Sequence, residues 1–145
     1  MPAKTEVQAG RAELTPRPGF LLQRAGRWFV RALERDLVPF DVAPRHAYVL
    51  TAFSPGQARL QQDIASELGL DRTTTSTVLD QLESRDLVTR RRDPADRRRS
   101  LVELTDAGVE LLSHFNATLA RLEGEFFASL TPAERATLGN FLMRN

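Results

Sequence analysis

At 145 residues, with 41% hydrophobic and 27% charged residues and a net charge of +1, the chain suits one compact domain with helical extensions. It has no cysteine, which excludes disulfides, thiolate metal sites and cysteine-based redox sensing, and its two distant histidines suggest neither a metal site nor a cofactor. No apolar run approaches the roughly 20 residues that span a bilayer, and no secretion signal is apparent, so we expect a cytoplasmic protein without a membrane partner.

The N-terminal part of the chain contains a polar arm and two helices. Residues 1–17 are polar and contain three helix-breaking residues, which predicts a flexible N-terminal arm. Over residues 18–37 apolar side chains recur three and four positions apart with arginines opposite, which predicts an amphipathic helix of about five turns. A second helix is predicted from Pro44 to Phe53, where the breakers Ser54-Pro55-Gly56 end it.

Two short helices in tight succession follow. The first is predicted over Leu60–Leu68, with Gly69 as a left-handed cap, and Asp71 is the expected N-cap of the second, over Arg72–Arg85. The second helix buries Val78, Leu79, Leu82 and, at its start, Thr75. Its outward face is rich in threonine and serine, which are mediocre helix formers but bond phosphates and base edges. This arrangement predicts a helix-turn-helix.

An arginine-rich stretch, TRRRDPADRRRSLVEL, covers Thr89–Leu104. Its two arginine runs flank the turn Asp93-Pro94-Ala95-Asp96, and the apolar pieces on either side predict a two-stranded ribbon with guanidinium groups at its tip. Residues 84–100 contain seven arginines and three aspartates, a balance of +4. Residues 101–145 contain three arginines and six acidic residues, a balance of −3. We therefore expect a basic patch, suited to an anion, beside an acidic scaffold.

The C-terminal part is predicted to form two more helices. Thr105 caps a long one whose apolar stripe reaches Leu130, and Thr131-Pro132-Ala133-Glu134 is a capping box that starts the last one. The fold class is thus mainly α with a small two- or three-stranded β wing. The apolar terminal helices either form an intramolecular core or interdigitate with a second copy, and we expect the second because exposed apolar surface favours association.

Residues 61 to 108 resemble the MarR-type winged helix-turn-helix transcriptional regulators. The residues that carry the resemblance are the helix-opening Asp71-Arg72, the passage LxxLExxxLV and the wing DPxDRRxxxxxLTxxG, all at the family's spacing. The resemblance implies one unit over residues 18–145. In it, a winged helix-turn-helix DNA-binding lobe, residues 43–104, lies between dimerisation helices at residues 18–42 and 105–145.

The resemblance further implies a homodimeric repressor that binds double-stranded DNA at a pseudo-palindromic site. In the family an Asp-x-Arg unit at the wing tip holds its arginine in the minor groove, and the matching residues here are Asp96 and Arg98. Candidates for major-groove and phosphate contacts on the second helix are Arg72, Thr73, Thr74, Ser76, Thr77 and Gln81. Candidates for phosphate contacts on the wing are Arg90, Arg92, Arg97 and Arg99.

Members of this family are typically released from DNA by a small aromatic or anionic molecule, bound between the dimer helices and the DNA-binding lobe. By position, Trp28, Arg31, His46 and Tyr48 are the candidates for such a cleft. The alternative for Trp28 and Tyr48 is a core or dimer contact, and the alternative for His46 is a partly exposed helix residue without a ligand.

Other functions compete with a regulator. A ligand-independent architectural DNA-binding protein would carry a similar wing, whereas a winged helix used for protein contacts would not need six arginines there. A nuclease would need clustered carboxylates or a histidine pair beside the basic patch. Only Asp93 and Asp96 lie there, and both suit the turn, so we expect no catalytic residues and no enzyme.

Overall fold

A computed structural model of the chain describes residues 17–144. Over this range six α-helices accompany a three-stranded antiparallel sheet, which confirms the predicted mainly α fold with a small β wing. The elements are α1 (Pro18–Leu37), a 3-10 turn (Val38–Phe40), α2 (Pro44–Leu50), β1 (Arg59–Leu60), α3 (Gln61–Leu68), α4 (Arg72–Glu83), β2 (Val88–Arg92), β3 (Ser100–Leu104), α5 (Asp106–Phe126) and α6 (Pro132–Met143). The predicted arm, residues 1–17, lies outside the described residues except for Arg17.

The helix-turn-helix consists of α3 and α4. Gly69 ends α3 in the left-handed conformation with φ +64°, and Asp71 caps α4 as predicted. Two predicted boundaries were wrong by two or three residues. α4 ends at Glu83 because the chain turns at Asp86, whose φ is +57°. α2 ends at Leu50 because the next three backbone N–H groups donate to carbonyls three residues back, as in a tighter turn.

The wing sheet has the strand order β1-β3-β2. β2 and β3 pair antiparallel from Val88 opposite Leu104 to Arg92 opposite Ser100, so the arginine runs lie at the free end of the ribbon. β1 is a third, two-residue strand immediately before α3, in which Leu60 pairs with Leu101. Leu60 was predicted to be helical, and its pairing with β3 explains why α3 begins one residue later.

A single hydrophobic core connects the long helices to the helix-turn-helix. Each fully buried leucine in such a core contributes about 1.5–3 kcal/mol of transfer free energy. The side chains with no exposure include Leu33 and Leu37 of α1, Leu50 of α2, Ile64 of α3, Leu79 and Leu82 of α4, and Leu111 and Phe115 of α5. α4 is therefore held by the same core into which α1 and α5 pack.

The start of α5 packs directly against the backbone before β2. The Thr105 hydroxyl accepts from the Gly108 amide at 3.0 Å, and the Thr105 amide donates to the Leu87 carbonyl at 3.1 Å. A Cβ atom built on Gly108 would lie 2.0 Å from the Leu87 carbonyl oxygen. Only glycine therefore permits this approach of α5 to the backbone that leads into β2.

We predict that Gly108→Ala lowers the free energy of unfolding by about 2–3 kcal/mol, because the new methyl group meets backbone that cannot move aside. The matched control is Gly26→Ala in α1, where a Cβ would have no neighbour within 4 Å and where alanine should stabilise the helix by up to about 1 kcal/mol. Both are measured by chemical denaturation at one protein concentration. A Gly108→Ala protein as stable as the wild type would contradict the close approach.

Candidate nucleic-acid interface

The threonine-rich start of α4 is shaped by its own hydroxyl groups. The Asp71 carboxylate accepts from the Thr74 amide at 2.8 Å and from the Thr74 hydroxyl at 2.6 Å, and these bonds hold the pKa of Asp71 below its usual value. The buried Thr75 donates to the Asp71 carbonyl at 2.9 Å, and Thr77 donates to the Thr73 carbonyl at 3.0 Å. The hydroxyls of Thr74 and Thr77 remain exposed and keep lone pairs for an incoming donor.

α4 and the wing enclose a groove of about 700 Å³. Its walls include Arg72 and Ser76 from α4, Gln61 from α3, Arg90 and Arg92 from β2, and Arg98 and Arg99 from the wing. Arg72 and Arg92 are exposed, and Ser76 and Arg99 are half-buried. Within the described residues, the side chains of Arg72, Thr73 and Ser76 have no intramolecular hydrogen bond. The groove is thus a cationic surface lined by small hydroxyl groups, which suits phosphate oxygens.

The wing tip holds one arginine in a fixed orientation. The Asp96 carboxylate accepts from the Arg98 amide at 3.0 Å, from Arg98 Nε at 3.2 Å and from Arg98 Nη2 at 3.4 Å, which keeps the pKa of Asp96 below its usual value. The Arg98 side chain is nonetheless 91% exposed. Asp93 lies on the other side of the tip, where its carboxylate accepts a hydrogen bond from the Ala95 amide at 2.9 Å. The expected Asp96–Arg98 pair is therefore present, with its guanidinium directed away from the body of the protein.

Arg90 lies at the groove, but its guanidinium binds protein carboxylates. Nε donates to Glu83 Oε2 at 2.9 Å, Nη2 donates to the same oxygen at 2.6 Å, and Nη2 also bonds Asp80. The Arg90 amide donates to Glu83 Oε1 at 3.2 Å. Instead of the free phosphate contact that we predicted, Arg90 joins the wing to α4. The sequence analysis missed Asp80 and Glu83 as partners of Arg90, because no sequence pattern shows which helix residues will contact a strand that follows after a turn.

Gln81 also differs from its predicted role. Its Oε1 atom bonds His46 Nε2 on α2, so the amide faces the interior side of α4 and not a base edge. His46 is only 5% exposed, which overturns the alternative of a partly exposed residue. Its Nδ1 accepts from the Ala43 amide at 3.1 Å, so Nε2 carries the proton and donates to Gln81. Burial lowers the pKa of His46. The hydrogen bond to Gln81 raises this pKa, whereas the positive charges of Arg45 and Arg85 lower it further, and the net shift is downward.

The four candidates for an effector cleft do not meet in one site. Trp28 and Arg31 line an open groove of about 1070 Å³ along α1, together with Arg24, Arg27 and Arg35. The Trp28 ring also packs against Phe29 and Phe126, with centroids 5.0 and 4.9 Å away. Tyr48 is 43% exposed and contacts Phe115 edge-on at 5.0 Å. His46 has both ring nitrogens engaged, so neither is left for a ligand.

The described part of the chain gives no sign of a metal or membrane site. In residues 17–144, no three histidine, aspartate or glutamate side chains are grouped so that they could hold a metal ion. None of the helices in that range combines the length and the apolar character needed to cross a membrane.

Comparison with known proteins decides the family. A model described as "MarR family" matches residues 40–99. A Thauera aromatica protein, described as a transcriptional regulatory protein for the hcr operon, is 31% identical over 127 residues, which cover 87% of this chain and 76% of that protein. The chain belongs to the MarR family of transcriptional regulators. The resemblance carried by residues 61 to 108 is thereby confirmed.

Solved structures of MarR regulators share the fold over nearly the whole chain. The repressor CouR, bound to a 23-mer DNA duplex, is 31% identical with a TM-score of 0.78, and the match covers 91% of this chain and 94% of that one. CouR from Rhodococcus jostii RHA1 has also been solved bound to p-coumaroyl-CoA. PcaV from Streptomyces coelicolor, in complex with its natural ligand, is 30% identical with a TM-score of 0.78 over 90% of this chain and 92% of that one.

The buried His46 predicts a pH dependence of stability. Because its pKa is lowered from 6.5 on folding, the unfolded chain binds more protons than the folded chain at pH values between the folded pKa and 6.5. The free energy of unfolding should therefore fall as the pH drops below about 6.5 and stop falling below the folded pKa. In His46→Gln, which cannot titrate there, the slope should be smaller. Urea unfolding of both proteins between pH 5 and 7.5 measures it, and equal slopes would contradict a buried neutral His46.

Proposed function

We propose that this MarR-family chain is a homodimeric repressor that binds double-stranded DNA at a pseudo-palindromic site and is released by a small effector. The observation that carries the DNA-binding part is the exposed Arg98 held by Asp96 at the tip of a basic wing. A guanidinium oriented in advance loses less conformational freedom on insertion, and narrow A·T-rich minor grooves attract it electrostatically.

In this proposal the N-terminal half of α4 enters the major groove. Arg72, Thr73, Thr74, Ser76 and Thr77 supply contacts to phosphates and base edges. The phosphates beside the minor groove that receives Arg98 are bound by three further wing arginines, Arg92, Arg97 and Arg99. Arg90 and Gln81 are left out of direct contact, because their side chains already bind Glu83 and His46.

The apolar side chains left exposed on the terminal helices support a dimer. Leu22 and Val30 of α1 are 55% and 44% exposed, and Leu142 and Met143 of α6 are 44% and 87% exposed. None of the α6 side chains is buried within one chain. Apolar surface of this kind favours association, so we propose that α1, α5 and α6 interdigitate with a second copy. A two-fold dimer places two α4 helices on one DNA face, hence the pseudo-palindrome.

The groove along α1 supports an aromatic or anionic effector. Four arginines and one acidic residue line it beside Trp28, namely Arg24, Arg27, Arg31, Arg35 and Glu34. Within residues 17–144 none of these arginines forms an ion pair, so the lining keeps an excess of positive charge. An anionic group would therefore gain several donors, and an aromatic ring could stack on Trp28. Tyr48 remains a candidate because its ring is half exposed. Two similar regulators have been solved with ligands, PcaV with its natural ligand and CouR with p-coumaroyl-CoA.

A ligand-independent architectural DNA-binding protein is the alternative function. It is distinguished by the ratio of specific to non-specific affinity, which should exceed about 10³ for a regulator. Under either function the protein acts on DNA in the cytoplasm, and we assign it no catalytic residues.

We predict that Arg98→Ala weakens binding to a duplex enriched from a random pool by the wild type. Each of the two wings of the dimer loses about 1–3 kcal/mol for a specific groove contact, so the loss at moderate salt should be at least about 100-fold. The slope of log affinity against log salt should become shallower by about two units, because each wing releases about one counterion fewer. Fluorescence anisotropy over a salt series measures both quantities.

The matched control is Arg24→Ala, measured without effector, which removes the same charge from the groove along α1, away from the groove between α4 and the wing. It should bind the duplex within about twofold of the wild type. Sedimentation of each variant checks that the oligomeric state is unchanged. If Arg98→Ala bound as tightly as the wild type at moderate salt, Arg98 would not be the wing residue that reads the minor groove.

A further inference from the structure

Helix α2 packs against α5 with one face and against α4 with another. Tyr48 is half exposed and packs on Phe115 of α5. Two residues earlier, the buried His46 bonds Gln81 of α4. We propose that His46 is a positioning residue, which fixes α4 through Gln81 and transmits displacements of the Tyr48 face to the DNA-binding end of α4. The proposal rests on the proposed function, because it assigns the route by which an effector changes DNA affinity.

The hydrogen bonds of His46 make the link rigid. Nδ1 accepts from the Ala43 amide at 3.1 Å and so caps the start of α2, while Nε2–H donates to Gln81. The imidazole ring cannot rotate to follow a shift of α2 without leaving one of these groups unpaired. Buried polar groups without a partner are costly, so a shift of α2 should move Gln81 with it.

A second connection joins the same two segments. Arg85, just beyond α4, donates from Nε to the Asp41 carbonyl at 2.6 Å and lies 3.4 Å from the Asp41 carboxylate. Its Nη1 also donates to the Gln81 carbonyl at 3.1 Å. Asp41 has φ +52°, an unfavourable backbone conformation for a residue other than glycine. The C-terminal end of α4 is thus tied to both ends of the segment from Asp41 to His46.

The contacts of Gln81 and Arg85 lie at the opposite end of α4 from the residues proposed to face DNA. Nine residues separate Gln81 from Arg72, a distance of about 13 Å along the helix axis. A tilt of about 5° at Gln81 would therefore move Arg72 by roughly 1 Å, which is enough to disturb hydrogen bonds to DNA. Small displacements at α2 thus have their largest effect where α4 meets the major groove.

A double-mutant cycle tests the proposal without an identified effector. Tyr48→Ala perturbs the α5-facing side of α2. His46→Asn keeps an acceptor for the Ala43 amide but is too short to reach Gln81, whereas His46→Gln keeps a donor that reaches Gln81 but loses the cap. Affinity for the duplex enriched by the wild type is measured for each single variant and for Tyr48→Ala combined with each His46 variant.

We expect Tyr48→Ala to change the affinity at least threefold in the wild-type and His46→Gln backgrounds, and less than twofold in the His46→Asn background. A merely structural role of His46 would not separate the two substitutions in this way. Tyr48→Ala combined with Arg98→Ala should be additive, because the wing tip lies outside the link.

The proposal is overturned if Tyr48→Ala leaves the wild-type affinity unchanged, or if its effect is the same in both His46 backgrounds. It is also overturned if Tyr48→Ala and Arg98→Ala are coupled as strongly as Tyr48→Ala and His46→Asn. Failure of the proposed function itself looks different, because the wild type would then enrich no duplex at all.

Discussion

The groove between α4 and the wing depends on the ion pairs between Arg90 and the carboxylates of Asp80 and Glu83. Besides these ion pairs, the wing is attached to the helix-turn-helix through the turn after α4, through its apolar base and through the pairing of β1 with β3. The ion pairs join the middle of β2 to the C-terminal half of α4, which restricts movement of the wing relative to α4. Because the Arg90 side chain is three-quarters buried, salt weakens this interaction less than it weakens those of the more exposed arginines around it.

The recognition helix is supported from two sides by different chemistry. Charged groups join it to the wing, and a neutral histidine–glutamine hydrogen bond joins it to α2. Beneath both contacts, Leu79 and Leu82 lie in the core shared with α1 and α5. In the proposed function, an effector that moved α2 relative to α5 would therefore also change the position of α4.

Local sequence patterns predicted the elements but not the contacts between them. The caps Asp71, Thr105 and Thr131 were identified because capping involves residues three positions apart. The Asp96–Arg98 pair was expected from the resemblance to the MarR family, whose wing tip carries an Asp-x-Arg unit. Arg90 and Gln81 were predicted to bind DNA because exposure was inferred from spacing alone. Their actual partners, 7 and 35 residues away, depend on how the wing and α2 pack against α4, which periodicity does not encode.

We propose that two copies of the groove bind one DNA duplex, with α4 in the major groove and the wing tip in the minor groove. Hydroxyl-radical footprinting on a duplex enriched by the protein is the decisive measurement. We expect two symmetry-related protected regions with centres about one helical turn, or about 10 base pairs, apart, and further protection in the minor grooves at the outer edges. A single asymmetric footprint, or uniform protection without minor-groove contacts, would contradict it.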